Sequence, residues 1–197
     1  LKKMKEFRKI SVIGLGLIAS SICLTLRQKD PTIKLQGYDK DKVVRNRAKK
    51  IGLCKVESNL DNAVSGSQLI ILCVPVGQMQ AVTQRLKKII EPGTTITDVG
   101  SVKLSVIEEI ESHIESVGGK YVPSHPIAGT ERSGPDAGYA GLFEGRWCIL
   151  TPTKKTNKKA LNSLETFWKF LGMQTKIMTP EHHDLVLAVT SHAPHLI

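Results

Sequence analysis

A glycine-rich turn between a strand and a helix is the feature that most restricts the fold of this chain. The segment Phe7 to Ile13 has the composition of a β-strand and runs directly into Gly14-Leu15-Gly16. The apolar residues that follow, Leu17, Ile18, Ile22 and Leu26, recur at helical spacing. The sequence therefore predicts a strand, a tight turn and a helix, the first unit of an α/β sheet.

The rest of the chain alternates between strand and helix patterns. Predicted strands are 33–39, 69–74, 94–99, 120–124, 147–150 and 174–178, and predicted helices are 41–51, 102–117, 157–171 and 180 onward. Such alternation implies crossover connections and a doubly wound parallel sheet with helices on both faces. The unbroken apolar run 69–74 is typical of a strand that is buried on both faces.

The glycine turn also has the spacing of a dinucleotide-binding site. The pattern Gly14-x-Gly16-x-x-Ala19 is followed about twenty residues later by Asp39, at the end of the next strand. Gly14 permits the turn, Gly16 lets a pyrophosphate approach the backbone, and the helix N-terminus offers unpaired N–H groups to the phosphates. We therefore predict a Rossmann-type dinucleotide-binding domain over residues 1–178. The last predicted helix contains no glycine or capping residue that would end it, so we expect a second domain to start at 179–197.

Asp39 also bears on the choice of cofactor. Its carboxylate is able to accept hydrogen bonds from the adenosine ribose diol and would repel a 2′-phosphate, which favours NAD. Lys40, Lys42 and Arg45 follow it, and a basic helix start is able to hold the extra phosphate of NADP. We expect NAD, with NADP as the alternative.

The carboxyl ends of three predicted strands are where ligands of an open parallel sheet would bind. These ends are Val74-Pro75-Val76, Asp98-Val-Gly-Ser-Val-Lys103 and Ser124-His-Pro-Ile-Ala-Gly-Thr-Glu131. His125, with the Ser101 hydroxyl from the neighbouring loop, suits proton acceptance from a substrate alcohol as hydride leaves. Spacing alone leaves open the alternative that His125 caps a loop.

The predicted final helix places several side chains on one face. At about 100° per residue, one arc carries His183, Leu187, Ser191 and His195. The histidines of this segment, together with Asp184, are open to interpretation as a metal site. They lack an ordered tetrahedral ligand set, so we predict no metal.

Composition and charge exclude several classes of protein. With 41% apolar and 23% charged residues, the chain is neither disordered nor membrane-embedded. Its net charge of +10 favours anionic ligands, but aromatic residues are only 5%, and the lysines are dispersed, so nucleic acid is not a predicted partner. The basic N-terminus imitates a secretory signal without its cleavage site, and the four cysteines form no Cys-x-x-Cys pair. We therefore expect a cytoplasmic protein with no membrane association.

Four blocks of sequence resemble the prephenate dehydrogenase family and occur in that family's order. They are Gly14-Leu-Gly-Leu-Ile-Ala-Ser-Ser21, Asp98-Val-Gly-Ser-Val-Lys103, His125-Pro-Ile-Ala-Gly-Thr-Glu131 and Ser191-His-Ala-Pro-His195. The resemblance runs from about Phe7 to the end of the chain. It implies an enzyme of tyrosine biosynthesis that oxidises prephenate, or its amino counterpart arogenate, with NAD or NADP and releases carbon dioxide.

The resemblance also implies residue roles by position. His125 would hydrogen-bond the ring 4-hydroxyl and take its proton, with Ser101 supporting the same hydroxyl. Glu131 would lie at the pocket mouth, and the substrate's side chain would contact the face that carries His183, Ser191 and His195. From the glycine turn and the strand ends, we expect the cofactor to contact Gly14, Gly16, Leu17, Ile18, Asp39, Val74, Pro75 and Asp98.

Members of the family extend into a helical domain that pairs two subunits and supplies an arginine for the substrate carboxylate. We therefore expect a homodimer formed through that domain, and we expect the present sequence to be truncated within it. A nucleotide-binding domain without activity is one open alternative, and a basic nucleic-acid binder is another. Arg132 and Arg146 are open to interpretation as substrate ligands or as surface residues.

Overall fold

The computed structural model describes residues 3–192, and the side chains of residues 3–188. The strands are β1 Lys9–Ile13, β2 Lys34–Tyr38, β3 Lys55–Val56, β4 Leu69–Leu72, β5 Thr95–Asp98, β6 Lys120–Tyr121, β7 Ser124–Pro126, β8 Trp147–Leu150 and β9 Gln174–Ile177. The helices are α1 Leu17–Lys29, α2 Lys42–Lys50, α3 Leu60–Val64, α4 Val76–Leu86, α5 Leu104–Glu115, α6 Lys158–Leu171 and α7 Pro180–His192. A single 3-10 turn, Pro135–Ala137, lies in the long loop between β7 and β8.

The first six strands form one parallel sheet in the order β3-β2-β1-β4-β5-β6. This is the strand order of a Rossmann fold, and it confirms the predicted doubly wound α/β class. The two central strands, β1 and β4, are adjacent, with Ile13 opposite Leu72. All four residues of β4 are buried, which explains why this strand is an unbroken apolar run.

Alternate residues of the central strands pack on opposite faces of the sheet. Val12 and Ile71 belong to a core cluster that includes Phe167 of α6, whereas Ile13 and Leu72 belong to a second cluster with α4 and α5. This alternation follows from the two-residue period of a strand. The sheet is therefore covered by helices on both faces.

The chain leaves the first sheet sooner than the sequence predicts. Residues 120–124 are expected to form one strand, but β6 ends at Tyr121 and Ser124 begins β7 in a separate sheet. Pro123 lies at the break, where it has no N–H to donate to a sheet ladder. In the second sheet, of order β7-β8-β9, the β7–β8 pairing is antiparallel and β8–β9 is parallel. The predicted crossover pattern is therefore wrong at this point.

All four cysteines are free thiols; Cys23 and Cys148 are buried, and Cys54 and Cys73 are half-buried. Within residues 3–192, no helix is both long enough and apolar enough to cross a bilayer.

Candidate active site

Two cavities lie where chain segments leave the strands β1, β2, β4, β5 and β7. One, of about 360 Å³, is lined by the glycine turn, the residues after β2 and those after β4. The other, of about 590 Å³, is lined by the loop after β5, by β7 and the residues after it, and by α7. Because β1, β4 and β5 are parallel neighbours, their carboxyl ends meet at one edge of the sheet, as the sequence predicts.

The glycine turn has a conformation that only glycine adopts without strain. Gly14 has a φ of +90°, and a Cβ at this position would lie 2.7 Å from the carbonyl oxygen of Cys73. Its N–H donates to the carbonyl oxygen of Tyr38 over 2.8 Å, which ties the turn to the end of β2. Gly14 therefore fits between two strands at a distance that excludes any side chain.

Gly16 differs from Gly14, because its missing side chain faces open space. It is the N-cap of α1, and it has an extended backbone with a φ of −83°. A Cβ at Gly16 would meet no heavy atom within 4 Å. No side chain of the described residues caps α1, so its first-turn N–H groups are available to an anion such as a diphosphate. The turn therefore fits the diphosphate of a dinucleotide.

Asp39 supports the same turn from the end of β2. Its Oδ2 accepts the N–H of Leu15 over 2.8 Å, and its Oδ1 accepts the N–H of Asp41 over 2.9 Å. The structure brings five of the predicted cofactor residues together around the smaller cavity: Gly14, Gly16, Asp39, Val74 and Pro75. Leu17 and Ile18 lie in the first turn of α1, with their side chains packed against the core.

Substitution of the two glycines is expected to give different results. Gly14→Ala should lower the free energy of unfolding by about 2 kcal/mol, because it combines a positive φ with a clash against the backbone. Gly16→Ala should leave stability within about 0.5 kcal/mol and weaken NAD binding about tenfold or more, because its Cβ enters the space for the diphosphate. Urea unfolding and calorimetric NAD titration measure the two quantities. Gly141→Ala, whose Cβ would make only ordinary contacts of 3.7 Å, is the control; equal NAD affinity in Gly16→Ala would contradict the site.

The larger cavity brings the predicted catalytic pair together. Ser101, from the loop after β5, and His125, from β7, both line it, along with Ile127 and Ala128. Ser101 is exposed, whereas the His125 ring is half-buried. The wall also includes the exposed Arg146, immediately before β8. Ser101 and His125 therefore border the same cavity.

His125 is the first member of a chain of hydrogen-bonded side chains. Its Nδ1 lies 2.9 Å from Nε2 of His183 on α7, and the two ring centroids are 5.2 Å apart. Nδ1 of His183 lies 2.7 Å from Oδ1 of Asp184. The Asp184 carboxylate also accepts the N–H groups of Lys103 and Leu104, over 2.8 and 3.0 Å, at the start of α5. This His–His–Asp chain, formed by His125, His183 and Asp184, thereby joins α7 to α5 and β7.

The surroundings of the His–His–Asp chain shift the pKa values of its three members. Mainly burial, then the neighbouring His183 and Lys103, lowers the pKa of His125 to about 4. Burial also lowers the pKa of His183, although Asp184 opposes that shift. For Asp184 burial acts in the opposite direction, but hydrogen bonds from Leu104, His183 and Lys103 outweigh it and keep its pKa below the ordinary value. At neutral pH, His125 is therefore an uncharged imidazole that is able to accept a proton.

A second buried network connects the loop of Ser101 to the strand of His125. The side chains of Lys103 and Asp98 form an ion pair and are both 0% exposed. Lys103 Nζ also donates to the carbonyl oxygen of Ser124 over 2.9 Å. Asp98 accepts the Tyr121 hydroxyl over 2.7 Å and the N–H of Gly100 over 2.8 Å. Lys103 thus fastens the end of β5 to the start of β7.

The structure separates several predicted ligands from the cavities. The Asp98 carboxylate is fully buried and engaged by Lys103, Tyr121 and Gly100, and it lines neither cavity. His183 is 1% exposed and lies behind His125, as the partner of that ring. Glu131 is exposed and is not part of the wall of the larger cavity.

The two remaining predicted ligands lie at the end of the chain. Ser191 belongs to α7, although its side chain is outside the described part, and His195 lies outside the described residues. Their predicted contacts with the substrate therefore stay predictions.

Three residues at the site have positions that the sequence does not predict. The sequence leaves Arg146 open between a substrate ligand and a surface residue, suggests Asp184 only as part of a metal site, and contains Lys103 only as the end of a motif. The spacing of Lys103 from Ser101 and the adjacency of Asp184 to His183 were the available signals. Among the side chains that the structure describes, those of residues 3–188, no group of three or more His, Cys, Asp or Glu is arranged to hold a metal ion.

Comparison with known proteins places the chain in a family. Residues 22–177 match the family described as "Prephenate dehydrogenase, nucleotide-binding domain". A cyclohexadienyl dehydrogenase of Zymomonas mobilis is 40% identical over 195 residues, which cover 98% of this chain and 66% of that relative. A prephenate dehydrogenase of Bacillus subtilis is 34% identical over 201 residues, which cover 100% of this chain and 53% of the relative. The chain therefore spans about half to two thirds of the length of these relatives.

The fold is also shared with solved structures. A prephenate dehydrogenase from A. aeolicus, in complex with hydroxyphenyl propionate and NAD+, superposes with a TM-score of 0.89 at 31% identity, covering 98% of this chain and 68% of the other. A Synechocystis arogenate dehydrogenase gives a TM-score of 0.86 at 29% identity, covering 94% of this chain and 65% of the other. With the glycine turn, the strand order and the match over residues 22–177, these findings show that the chain belongs to the prephenate dehydrogenase family and contains its nucleotide-binding domain.

Proposed function

We propose that this protein catalyses the NAD-dependent oxidative decarboxylation of prephenate to 4-hydroxyphenylpyruvate. The observation that carries the proposal is the common cavity of His125 and Ser101 at the sheet edge that also carries the glycine turn. A relative in the family, from A. aeolicus, is described in complex with NAD+ and a hydroxyphenyl compound. The second candidate substrate is arogenate, which the likeness to the Synechocystis arogenate dehydrogenase favours.

In this reaction His125 would accept the proton of the ring hydroxyl. A bound dinucleotide would supply the hydride acceptor for the carbon that bears this hydroxyl. An uncharged imidazole suits this step, and Ser101 lies on the same wall to orient the hydroxyl. Once the ring carbon is a carbonyl, the ring carboxylate leaves as carbon dioxide, and aromatisation drives that loss. The protein needs to align the hydride donor with the cofactor and to bind the substrate's charges.

Arg146 supplies positive charge at this cavity. Arg146 lines the larger cavity together with Ile127 and Ala128. The backbone N–H of Ile127 donates to the carbonyl oxygen of Trp147 over 2.8 Å, which joins the segment after β7 to the residue next to Arg146. A guanidinium is well suited to bind a carboxylate in two parallel hydrogen bonds, so Arg146 would bind one of the two carboxylates of prephenate.

The region after β2 favours NAD over NADP. The Asp39 carboxylate lines the smaller cavity, where it would accept hydrogen bonds from the adenosine ribose. Arg45, one of the cations considered as a ligand of the 2′-phosphate, donates instead to the carbonyl oxygens of Asp39 and Lys40, over 2.6 and 3.0 Å. Lys40 remains on the cavity wall and would still attract NADP.

The family resemblance supports the rest of the proposal. Glu131, Ser191 and His195 would contact the substrate. The resemblance implies the same contact for His183, but this ring is 1% exposed and lies 2.9 Å from His125, so His183 would act through His125. The active enzyme would be a cytoplasmic homodimer, formed through a C-terminal helical domain that begins at α7.

Substrate and cofactor are tested together in one assay. The purified protein is mixed with prephenate or arogenate and with NAD or NADP, and reduction is followed at the nicotinamide absorbance band. We expect the highest kcat/KM with prephenate and NAD. Equal turnover of arogenate would favour the second substrate. Calorimetric binding of NAD without reduction by either compound would contradict the proposed activity and favour a domain that only binds nucleotide.

A further inference from the structure

The hydrogen-bond partners of the His–His–Asp chain determine which nitrogen of each ring carries a proton. An ionised carboxylate only accepts hydrogen bonds, so Nδ1 of His183 must donate to Asp184. In a neutral imidazole the other nitrogen is then an acceptor, so Nε2 of His183 accepts a hydrogen bond from Nδ1 of His125. The same rule leaves Nε2 of His125 with its lone pair free of a proton.

Asp184 determines the direction of these hydrogen bonds because its carboxylate is held as an anion. Two backbone N–H groups at the start of α5, those of Lys103 and Leu104, donate to its two oxygens. α5 has no side-chain cap from its own N-cap residue, so a carboxylate from α7 serves in that place. The positive end of the helix dipole and these hydrogen bonds favour the charged form of Asp184.

The other charged groups near His125 do not compete for this role. The ammonium of Lys103 is paired with Asp98 and donates to the carbonyl oxygen of Ser124. Tyr121 is the third titratable group of that cluster, and burial followed by the neighbouring Asp98 keeps its pKa well above the ordinary value, so it stays protonated. Arg146 is exposed and lines the larger cavity. Asp184 is therefore the anion that reaches His125 through hydrogen bonds.

We propose that His183 and Asp184 are positioning residues that hold His125 in the tautomer with a proton on Nδ1 and a free lone pair on Nε2. This rests on the proposed function in one respect: Nε2 is the atom that takes the substrate's hydroxyl proton. When Nε2 accepts that proton, His125 becomes an imidazolium, and the negative charge of Asp184 stabilises it through His183. The proposed proton transfer needs only these three residues and the substrate.

Imidazole nitrogen NMR tests the tautomer without any substrate. In the ¹⁵N-labelled protein at neutral pH, long-range ¹H–¹⁵N correlations should show His125 with a protonated Nδ1 and an unprotonated Nε2. A protonated Nε2, or an equal mixture of the two tautomers, in the unsubstituted protein would overturn the proposal. This measurement needs no turnover. The assignment of the tautomer therefore remains valid even if neither prephenate nor arogenate is oxidised.

Substitution of His183 tests the consequence for catalysis. His183→Phe should produce a mixture of His125 tautomers and lower kcat about 10- to 100-fold, with an unchanged KM for NAD. His183→Gln, which can still accept from His125, should retain more of the kcat. His182→Gln changes the exposed neighbouring histidine and should alter neither the tautomer nor kcat. A His183→Phe protein that is folded, fully active and of one His125 tautomer would overturn the proposal.

Discussion

Replacing His125 with asparagine is expected to lower kcat for prephenate oxidation about 10²- to 10⁴-fold, while NAD affinity stays unchanged. In the proposed reaction the substrate's hydroxyl proton would lose its acceptor, and general-base catalysis contributes rate factors in that range. NAD affinity should be unaffected because His125 lines the larger cavity and the glycine turn lines the smaller one. Steady-state kinetics and calorimetric NAD titration measure the two effects.

The pH dependence gives the same hypothesis a second test. Because burial lowers the pKa of His125 to about 4, the imidazole should remain able to accept a proton well below the usual histidine range. The acid limb of kcat/KM should therefore lie near pH 4, and activity should fall as pH decreases through it. His113→Asn, on the outer helix α5, is the control and should leave kcat unchanged. Full activity in His125→Asn would exclude His125 as the base.

The same two histidines link stability to pH. The pKa of His125 and that of His183 are both lower in the folded protein than in an unfolded chain. As pH falls through the ordinary histidine range, the unfolded state therefore binds protons first, and these histidines reduce the free energy of unfolding progressively. Above that range both states hold neutral rings, and the contribution vanishes.

Replacing Lys103 with methionine is expected to lower the free energy of unfolding by roughly 3–5 kcal/mol. The substitution leaves the Asp98 carboxylate, which is 0% exposed, without its cation, and an unpaired buried charge costs about that much. It also removes the link to the Ser124 carbonyl, so Ser101 and His125 should lose their relative position and kcat should fall. Urea unfolding followed by circular dichroism measures the stability change.

Two control variants separate this effect from a general loss of surface charge. Asp98→Asn combined with Lys103→Met removes the unpaired charge and should recover part of the lost stability. Lys29→Met breaks the pair with Glu144, whose side chains are 30% and 57% exposed, and should cost less than about 1 kcal/mol. If Lys103→Met were no more destabilising than Lys29→Met, the buried pair would not fasten β5 to β7.

The features that were predictable from the sequence depend on short-range constraints. Each of these features produces a sequence pattern that extends over only a few residues. They are the alternation of a strand between two packed faces, a run that is buried on both faces, and a turn that needs glycine. For this reason the Rossmann class and the residues around the smaller cavity were accessible from the sequence. The break after Tyr121 was less accessible, because Pro123 alone does not show which partner strand β7 will choose.

The interior of the larger site depended instead on contacts between distant segments. His125 and His183 are 58 positions apart, and Asp184 reaches the start of α5 over 81 positions. Nothing in the local sequence shows that Lys103 is fully buried, or that the Asp98 carboxylate forms a buried ion pair with it. By itself the sequence determined the glycine turn, the parallel sheet and the candidate pair Ser101 and His125. Only the tertiary structure decided which side chains face the cavity and which lie behind it, because burial and hydrogen-bond partners arise where remote elements meet.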